Sequence, residues 1–196
     1  MKRAWIVGID EAGRGPLAGP VTLAYVACPT RIFRRNFKGI KDSKKLTLNK
    51  KVQWFSHLKN HPRLETGVTS VGNSIIDRDG ISRAIKIGMK RLLNRFAENS
   101  RLSTKNYKLL LDGSLYAPPQ YVQKTIIRGD EKIPIIAAAS VIAKVTRDRK
   151  MIRLAKKYPK YAFHIHKGYG TKLHQKLIKR HGLSALHRKS FCTRMV

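Results

Sequence analysis

Two short apolar runs, residues 3–9 and 20–27, flank a segment that reads Gly8-Ile9-Asp10-Glu11-Ala12-Gly13-Arg14-Gly15-Pro16-Leu17-Ala18-Gly19-Pro20. Runs this short, rich in Val, Ile, Ala and aromatic residues, favour strands, and the glycines and prolines between them are turn chemistry. The pair therefore predicts an antiparallel hairpin with two adjacent carboxylates, Asp10 and Glu11, at the end of its first strand. The chain carries 42 Lys plus Arg against 11 Asp plus Glu, a net charge of +31. Where acids are so scarce, a side-by-side pair at the tip of a buried strand is a poor candidate for surface solvation. Carboxylates inside so basic a protein suggest a divalent metal held against a polyanion.

Further elements follow from periodicity. Thr47 to Leu58 reads as a helix that Thr47 can cap, with Val52, Phe55 and Leu58 at spacings of three. Leu64 to Val71 alternates as a third strand. Ile81, Ala84, Ile85, Met89, Leu92, Leu93 and Phe96 form one apolar stripe, predicting a helix over 81–96 that packs on the core. Tyr107 to Leu111 and Thr125 to Ile127 read as strands ending at Asp112-Gly113 and before Gly129-Asp130. Pro134 opens a long helix reaching Lys157, with Ala137 to Ala139 suited to close packing on a sheet. Thr171 to Arg180 is a further short helix. Strands followed by strands and helices mixed fit an α/β sheet covered by helices. The expected division is a core of residues 1–157 and a basic C-terminal portion of residues 158–196 that packs on it and adds to substrate binding.

Charge and composition narrow the partners. A sequence pI near 10.8 points first to nucleic acid and only second to an acidic membrane surface. No apolar run approaches the roughly 20 residues of a spanning helix, and the basic start meets Asp10 before a signal-peptide core is complete. Cys28 and Cys192, the only two cysteines, give neither a disulfide framework nor zinc spacing. A cytoplasmic monomer without membrane contact is the expectation.

The eleven acids sort by position. Asp10, Asp112 and Asp130 each follow a short apolar run, with glycine beside or near them. Ends of neighbouring strands lie together, so such acids can converge. Carboxylate oxygens are the hard ligands that Mg²⁺ and Mn²⁺ take. Two such ions about 3.5–4 Å apart can activate a water and stabilise a leaving oxygen in phosphodiester hydrolysis. Converging carboxylates repel one another unless a cation sits among them. Adjacent strand residues point to opposite faces, so Asp10 and Glu11 share a site only if the strand ends there, which Ala12-Gly13 permits.

These blocks together resemble type 2 ribonucleases H (ribonuclease HII) of the bacterial kind. The opening segment through Val21 carries the first signature. It is followed in order by Asp42-Ser43-Lys44-Lys45-Leu46, Leu111-Asp112-Gly113, and Gly129-Asp130 with Ile136 to Val145 and Arg147-Asp148. His166-Lys167-Gly168-Tyr169-Gly170-Thr171 and His187-Arg188-Lys189-Ser190-Phe191 complete the set. Cys192-Thr193 departs from the pattern, where proline often follows the Ser-Phe pair. The resemblance implies a ribonuclease H-like mixed β-sheet flanked by helices, with a small helical C-terminal portion. It implies metal-dependent cleavage of the RNA strand of RNA–DNA hybrids and of single ribonucleotides embedded in duplex DNA. Cleavage on the 5′ side of the ribonucleotide would leave 3′-hydroxyl and 5′-phosphate ends, an activity suited to replication and ribonucleotide excision repair. Matched residue by residue, Asp10, Glu11, Asp112 and Asp130 are the catalytic, metal-binding acids for Mg²⁺ or Mn²⁺. Gly13, Arg14 and Gly15 would contact the 2′-hydroxyl that separates RNA from DNA. Tyr169 would pack on the adjoining deoxyribose, Lys44 and Lys144 would meet phosphates, and Ser140 is a further polar contact. Arg147 and Asp148 would order the site.

Other readings fare worse. Gly13-x-Gly15 followed by Gly19 misses dinucleotide spacing by one, and no P-loop lysine follows. His164, His166, His174, His181 and His187 lack cysteine partners or a helical His pair with an acid, so they read as basic-surface histidines rather than a zinc site; one of them could carry a proton to the leaving group. Arg31 to Arg35 and Lys150 to Lys157 read as parts of a phosphate track. A non-catalytic basic nucleic-acid-binding protein would explain the charge but leave the four acids without a role. A nuclease for DNA strands on the same fold is the third reading.

Overall fold

The computed structural model describes residues 4–33, 37, 39–40, 46–100 and 102–193. The two opening runs form β1 (Trp5–Ala12) and β2 (Val21–Pro29), antiparallel with Ile9 opposite Tyr25. β3 (Glu65–Val71) continues antiparallel on β2, while β4 (Tyr107–Asp112) lies parallel to β1 and β5 (Gln123–Ile126) parallel to β4. The spatial order is β3-β2-β1-β4-β5, a sheet covered by helices as the patterning predicts, and mixed as the resemblance implies.

The helices are α1 (Leu48–Asn60), α2 (Asn73–Ser100), α3 (Gly129–Lys132), α4 (Pro134–Ala155), α5 (Phe163–His166) and α6 (Lys172–His181). Thr47 caps α1, its hydroxyl accepting from the Lys50 amide at 3.3 Å. α2 starts earlier than its apolar stripe suggests. Gly80, at φ 80° and ψ 159°, breaks it into two helical stretches, and the stripe marks only the second. The short α3 and α5, of four residues each, are too brief to show a periodicity.

Alternation sorts the sheet into two faces. Val7, Ile9, Leu23 and Tyr25 meet Met89, Leu92 and Phe96 of α2. Ala24 and Val26 on the other face meet Leu58 of α1 and the apolar side of α4. Gly8 sets how closely α4 approaches: a Cβ there would lie 2.4 Å from the Ile135 carbonyl oxygen. Ala137, Ala138 and Ala139 are fully buried in the same contact.

Residues beyond 157 fasten onto the hairpin turn as well as onto α4. Tyr161 and Phe163 pack with Met151, Ala155 and Ala18, and Ile178 and Cys192 pack with Leu17. Burying a side chain the size of Phe163 contributes roughly 2–3 kcal/mol. The 13–20 segment is therefore held between the core and the C-terminal residues. Among the described residues no helix is long and apolar enough to cross a membrane.

Candidate active site

Strand register brings the first two acids together. The parallel pairing of β1 and β4 ends at Ile9 opposite Leu111, so Asp10 and Asp112 follow at the carboxyl ends of adjacent strands. β1 does not stop at Asp10, as sharing a site with Glu11 was expected to require. It runs on to Ala12 because its other edge stays paired to β2, with Glu11 opposite Leu23. Only the β4 side opens. Glu11 lines a cleft of about 380 Å³ whose other walls include Gly13, Gly15, Ser140, Lys144 and Tyr169.

Asp112 and Asp130 are joined through backbone. Asp112 Oδ1 accepts from the Gly129 amide at 2.6 Å and the Asp130 amide at 3.2 Å, so it caps the first turn of α3 from a neighbouring strand. Asp130 itself is 1% exposed. Burial is the first cause pushing the Asp10 carboxyl well above the usual carboxylate range, with the charges of Glu11 and then Asp112 adding to it. A hydrogen bond from the Ser140 side chain and the Glu11 amide, at 2.7 Å, work the other way. Ser140 thus faces Asp10 as well as the cleft.

Glu11 is divided. Its Oε1 holds Arg14, with Nη2 at 2.8 Å and Nε at 3.0 Å, while its Oε2 is buried and has no hydrogen-bond partner among the described residues. As the side chains stand, no group of three or more His, Cys, Asp or Glu among the described residues is arranged so that it could hold a metal ion. Asp10, Glu11 and Asp112 do share an electrostatic neighbourhood, with Asp130 tied to it by its amide.

The cleft's cationic wall is Lys144 and Lys51. Lys144 Nζ bonds Asp148 Oδ1 at 3.0 Å and lies 4.9 Å from the Tyr169 ring centroid. Lys51 on α1 is pushed below the ordinary lysine value, first by burial and then by Lys144, with Asp148 opposing. Sequence reasoning missed Lys51. Its signal was a basic pair, Lys50-Lys51, in the first turn of a helix that has no acid there, where the dipole favours anions. Lys44 and Lys45 lie outside the described residues, as do Arg34 and Arg35.

Two buried arginines hold the loops. Arg147 Nε, Nη2 and Nη1 donate to the carbonyls of Pro20 at 2.9 Å, Ala18 at 3.2 Å and Lys167 at 3.0 Å. Arg188 Nε, Nη1 and Nη2 donate to Gly19 at 2.9 Å, Arg14 at 2.9 Å and Gly13 at 2.7 Å. Gly13, at φ 95°, is where only glycine fits: a Cβ would sit 2.2 Å from Arg147 Nε. The Gly168 carbonyl accepts from Leu17 at 2.8 Å, joining this loop to the one that carries Tyr169. The ordering role expected of Arg147 is thus exerted through carbonyls, whereas Asp148 works by holding Lys144. Arg188 stands in the last of the blocks that carry the resemblance, but as one cation among 42 nothing in the sequence marked it as a clamp on the hairpin turn.

The histidines correct the sequence reading. His166, His174 and His187 are buried at 6%, 0% and 1% exposure rather than on a basic surface. They sit among Tyr161 and Phe163 behind the Tyr169 loop.

The family model for ribonuclease HII matches residues 7–194. A ribonuclease HII of Coxiella burnetii (strain RSA 493 / Nine Mile phase I) is 42% identical over 186 residues, covering 95% of this chain and 87% of that protein. The crystal structure of ribonuclease H2 from Pyrococcus horikoshii OT3 aligns with a TM-score of 0.73 at 27% identity, over 97% of this chain and 96% of that one. A ribonuclease HII of Archaeoglobus fulgidus, solved in complex with PCNA, aligns with a TM-score of 0.73 at 25% identity, over 96% and 94%.

Proposed function

Since this chain belongs to the ribonuclease HII family, and so is an endoribonuclease of ribonuclease H type 2, we propose that it cuts the RNA strand of RNA–DNA hybrids and single ribonucleotides embedded in duplex DNA. Cleavage falls on the 5′ side of the ribonucleotide and leaves 3′-hydroxyl and 5′-phosphate ends. The observation that carries the reading is the strand-end meeting of Asp10, Glu11 and Asp112, beside a cleft walled by the Gly13–Gly15 turn, two lysines and Tyr169.

The donors fit a hard divalent cation in chemistry. All are carboxylate oxygens, Glu11 Oε2 is buried without a hydrogen-bond partner among the described residues, and the Asp10 carboxyl is raised first by burial and then by the charges of Glu11 and Asp112. Asp10, Glu11, Asp112 and Asp130 are the residues proposed to hold Mg²⁺ or Mn²⁺. When bound there, such a cation supplies Lewis acidity toward an attacking water and the leaving oxygen. Glu11 can offer Oε2 while Oε1 keeps Arg14, and Asp112 can offer the oxygen not given to the α3 amides. Arg14, held in the cleft by Glu11, is proposed to face the ribonucleotide beside the Gly13 and Gly15 backbone, which can approach a 2′-hydroxyl closely. Lys144 and Lys51 face phosphate. Tyr169 lies against the adjoining sugar, which assigns the residues after 157 a share in substrate binding.

The test is a DNA duplex with one embedded ribonucleotide, incubated with Mg²⁺, with Mn²⁺ or with chelator, and its product ends mapped. Cleavage should need the metal and yield the stated ends. Asp10→Asn should bind the duplex and leave it intact. Equal turnover by that variant and its parent would remove Asp10 from the chemistry.

A further inference from the structure

The three buried histidines have their proton positions dictated by backbone. The Gly168 amide donates to His166 Nδ1 at 3.1 Å, so the ring's proton is on Nε2, which reaches the Tyr161 carbonyl at 2.7 Å. The Ser184 amide donates to His187 Nδ1 at 2.8 Å, which likewise leaves the proton of His187 on Nε2. That nitrogen stands 3.0 Å from His174 Nε2, which must accept. His174 then carries its proton on Nδ1 and donates to the Tyr169 carbonyl at 2.9 Å. The His166 and His174 rings stack at 4.1 Å. The Ser184 hydroxyl adds a second contact to His187 Nδ1 at 2.9 Å, so each ring nitrogen has one role, and a fourth proton would set N–H against N–H.

We propose that these imidazoles form a relay of three neutral rings that fixes the loop bearing Tyr169, and that His174 is its positioning residue for the recognition of a lone ribonucleotide. The inference rests on the reading of Tyr169 as the residue that lies against the sugar next to the cut. The path runs from Ser184 through His187 and His174 to the Tyr169 carbonyl, and His166 grips the neighbouring Gly168. The backbone bonds to the rings favour an extra proton, but burial outweighs them and the neighbouring charged groups oppose it. Lys167 and His164 stand beside His166, and the Arg147 guanidinium reaches the Lys167 carbonyl. His181 and the Tyr161 ring close the far side, and Arg188 adjoins His187. Burial, the first cause, lowers all three histidines below their ordinary value. The fixed carbonyl in turn sets the Tyr169 ring under Lys144 and Arg147.

Two measurements on the full chain test this. Long-range ¹H–¹⁵N imidazole spectra at pH 7 should show three neutral rings, with the proton on Nδ1 of His174 and on Nε2 of His166 and His187. A doubly protonated ring, or His174 protonated on Nε2, overturns the relay. In kinetics, His174→Phe should raise KM for a duplex with one ribonucleotide about tenfold, with long-hybrid cleavage changed much less. His174→Asn, whose amide can still donate to the Tyr169 carbonyl, should recover most of the loss. A parent enzyme that fails on the lone-ribonucleotide duplex sinks the underlying substrate reading. A parent that cuts it, with His174→Phe equally good on that substrate, sinks the positioning role alone. If His174→Phe does not fold, the parent's spectra and the His174→Asn kinetics decide.

Discussion

Replacing Arg188 tests whether the C-terminal residues are a wall of the active site or an appendage. Its guanidinium is fully buried, and its three donating nitrogens end on the carbonyls of Gly13, Arg14 and Gly19. Burial, followed by the charge of Arg147, lowers it to about 10, so the site tolerates the cation only because the bonds are good. Hydrogen bonds from a charged donor contribute roughly 1.5–3 kcal/mol each. Part of that is returned when the buried charge is removed, so Arg188→Met should cost about 2–4 kcal/mol. For a chain of this size the melting temperature would fall by roughly 4–16 °C. Arg188→Lys keeps the charge but cannot present three fixed donors to three separated carbonyls, and it should recover little. Hydrogen exchange adds the location: amides in 13–20 should lose protection while those of β1 and β4 keep theirs. If the lysine variant matches the parent in melting and loop protection, charge rather than fork geometry holds the loop. If the methionine variant also melts within a degree of the parent, the clamp does not exist.

Tyr169→Ala should reduce cutting at lone ribonucleotides more than cutting of long hybrids, and equal loss on both substrates would end its role at the junction. Gly8→Ala forces a Cβ against the Ile135 carbonyl at 2.4 Å; backbone cannot swing aside as a side chain can, so urea unfolding should show a loss of about 3 kcal/mol. The His174 pKa falls from an ordinary 6.5 to about 4 on folding, burial being the first cause. The unfolded chain therefore binds this proton first as pH drops, and stability present above pH 6.5 is lost toward pH 4. Between pH 7 and pH 5 this residue alone should account for about 2 kcal/mol, a slope that His174→Phe removes.

Much of the sheet was legible because β1, β2 and β4 are short apolar runs cut off by glycine, proline or acid. The acids were legible for the same reason: Asp10 and Asp112 stand where such runs end. What stayed hidden depends on contacts across the chain. Asp112 capping α3 joins residues 17 positions apart, and Arg188 reaching Gly13 joins residues 175 apart. The buried histidines read as surface because histidine is amphipathic. Only the aromatic floor of Tyr161 and Phe163, itself assembled from segments after 157, decides their burial. The course of β1 past Asp10 was misjudged because its two edges end at different residues, which alternation along a single strand cannot reveal.

The scarcity of acids explains how this chain can be so basic and still build a carboxylate site. Most acids outside the cleft are spent on holding a neighbour: Asp148 on Lys144, Glu131 on Arg128, Glu65 on the Tyr25 hydroxyl. Asp77 of α2 accepts from the Lys189 and Ser190 amides and the Ser190 hydroxyl, tying the segment that follows Arg188 to the core. Burial pushes the Asp77 carboxyl up, but the Ser190 hydroxyl and the two amides outweigh it and leave it below the usual value. Asp10 shows the opposite balance. A net charge of +31 ought to favour every carboxylate, yet Asp10 stays raised. Solvent and salt screen most of those cations beyond about 10 Å, while burial, Glu11 and Asp112 act at contact. The overall charge can draw a polyanion to the protein, but it cannot neutralise the acids gathered at the strand ends. The divalent cation proposed for Asp10, Glu11, Asp112 and Asp130 would act at contact, where a basic surface outside is screened.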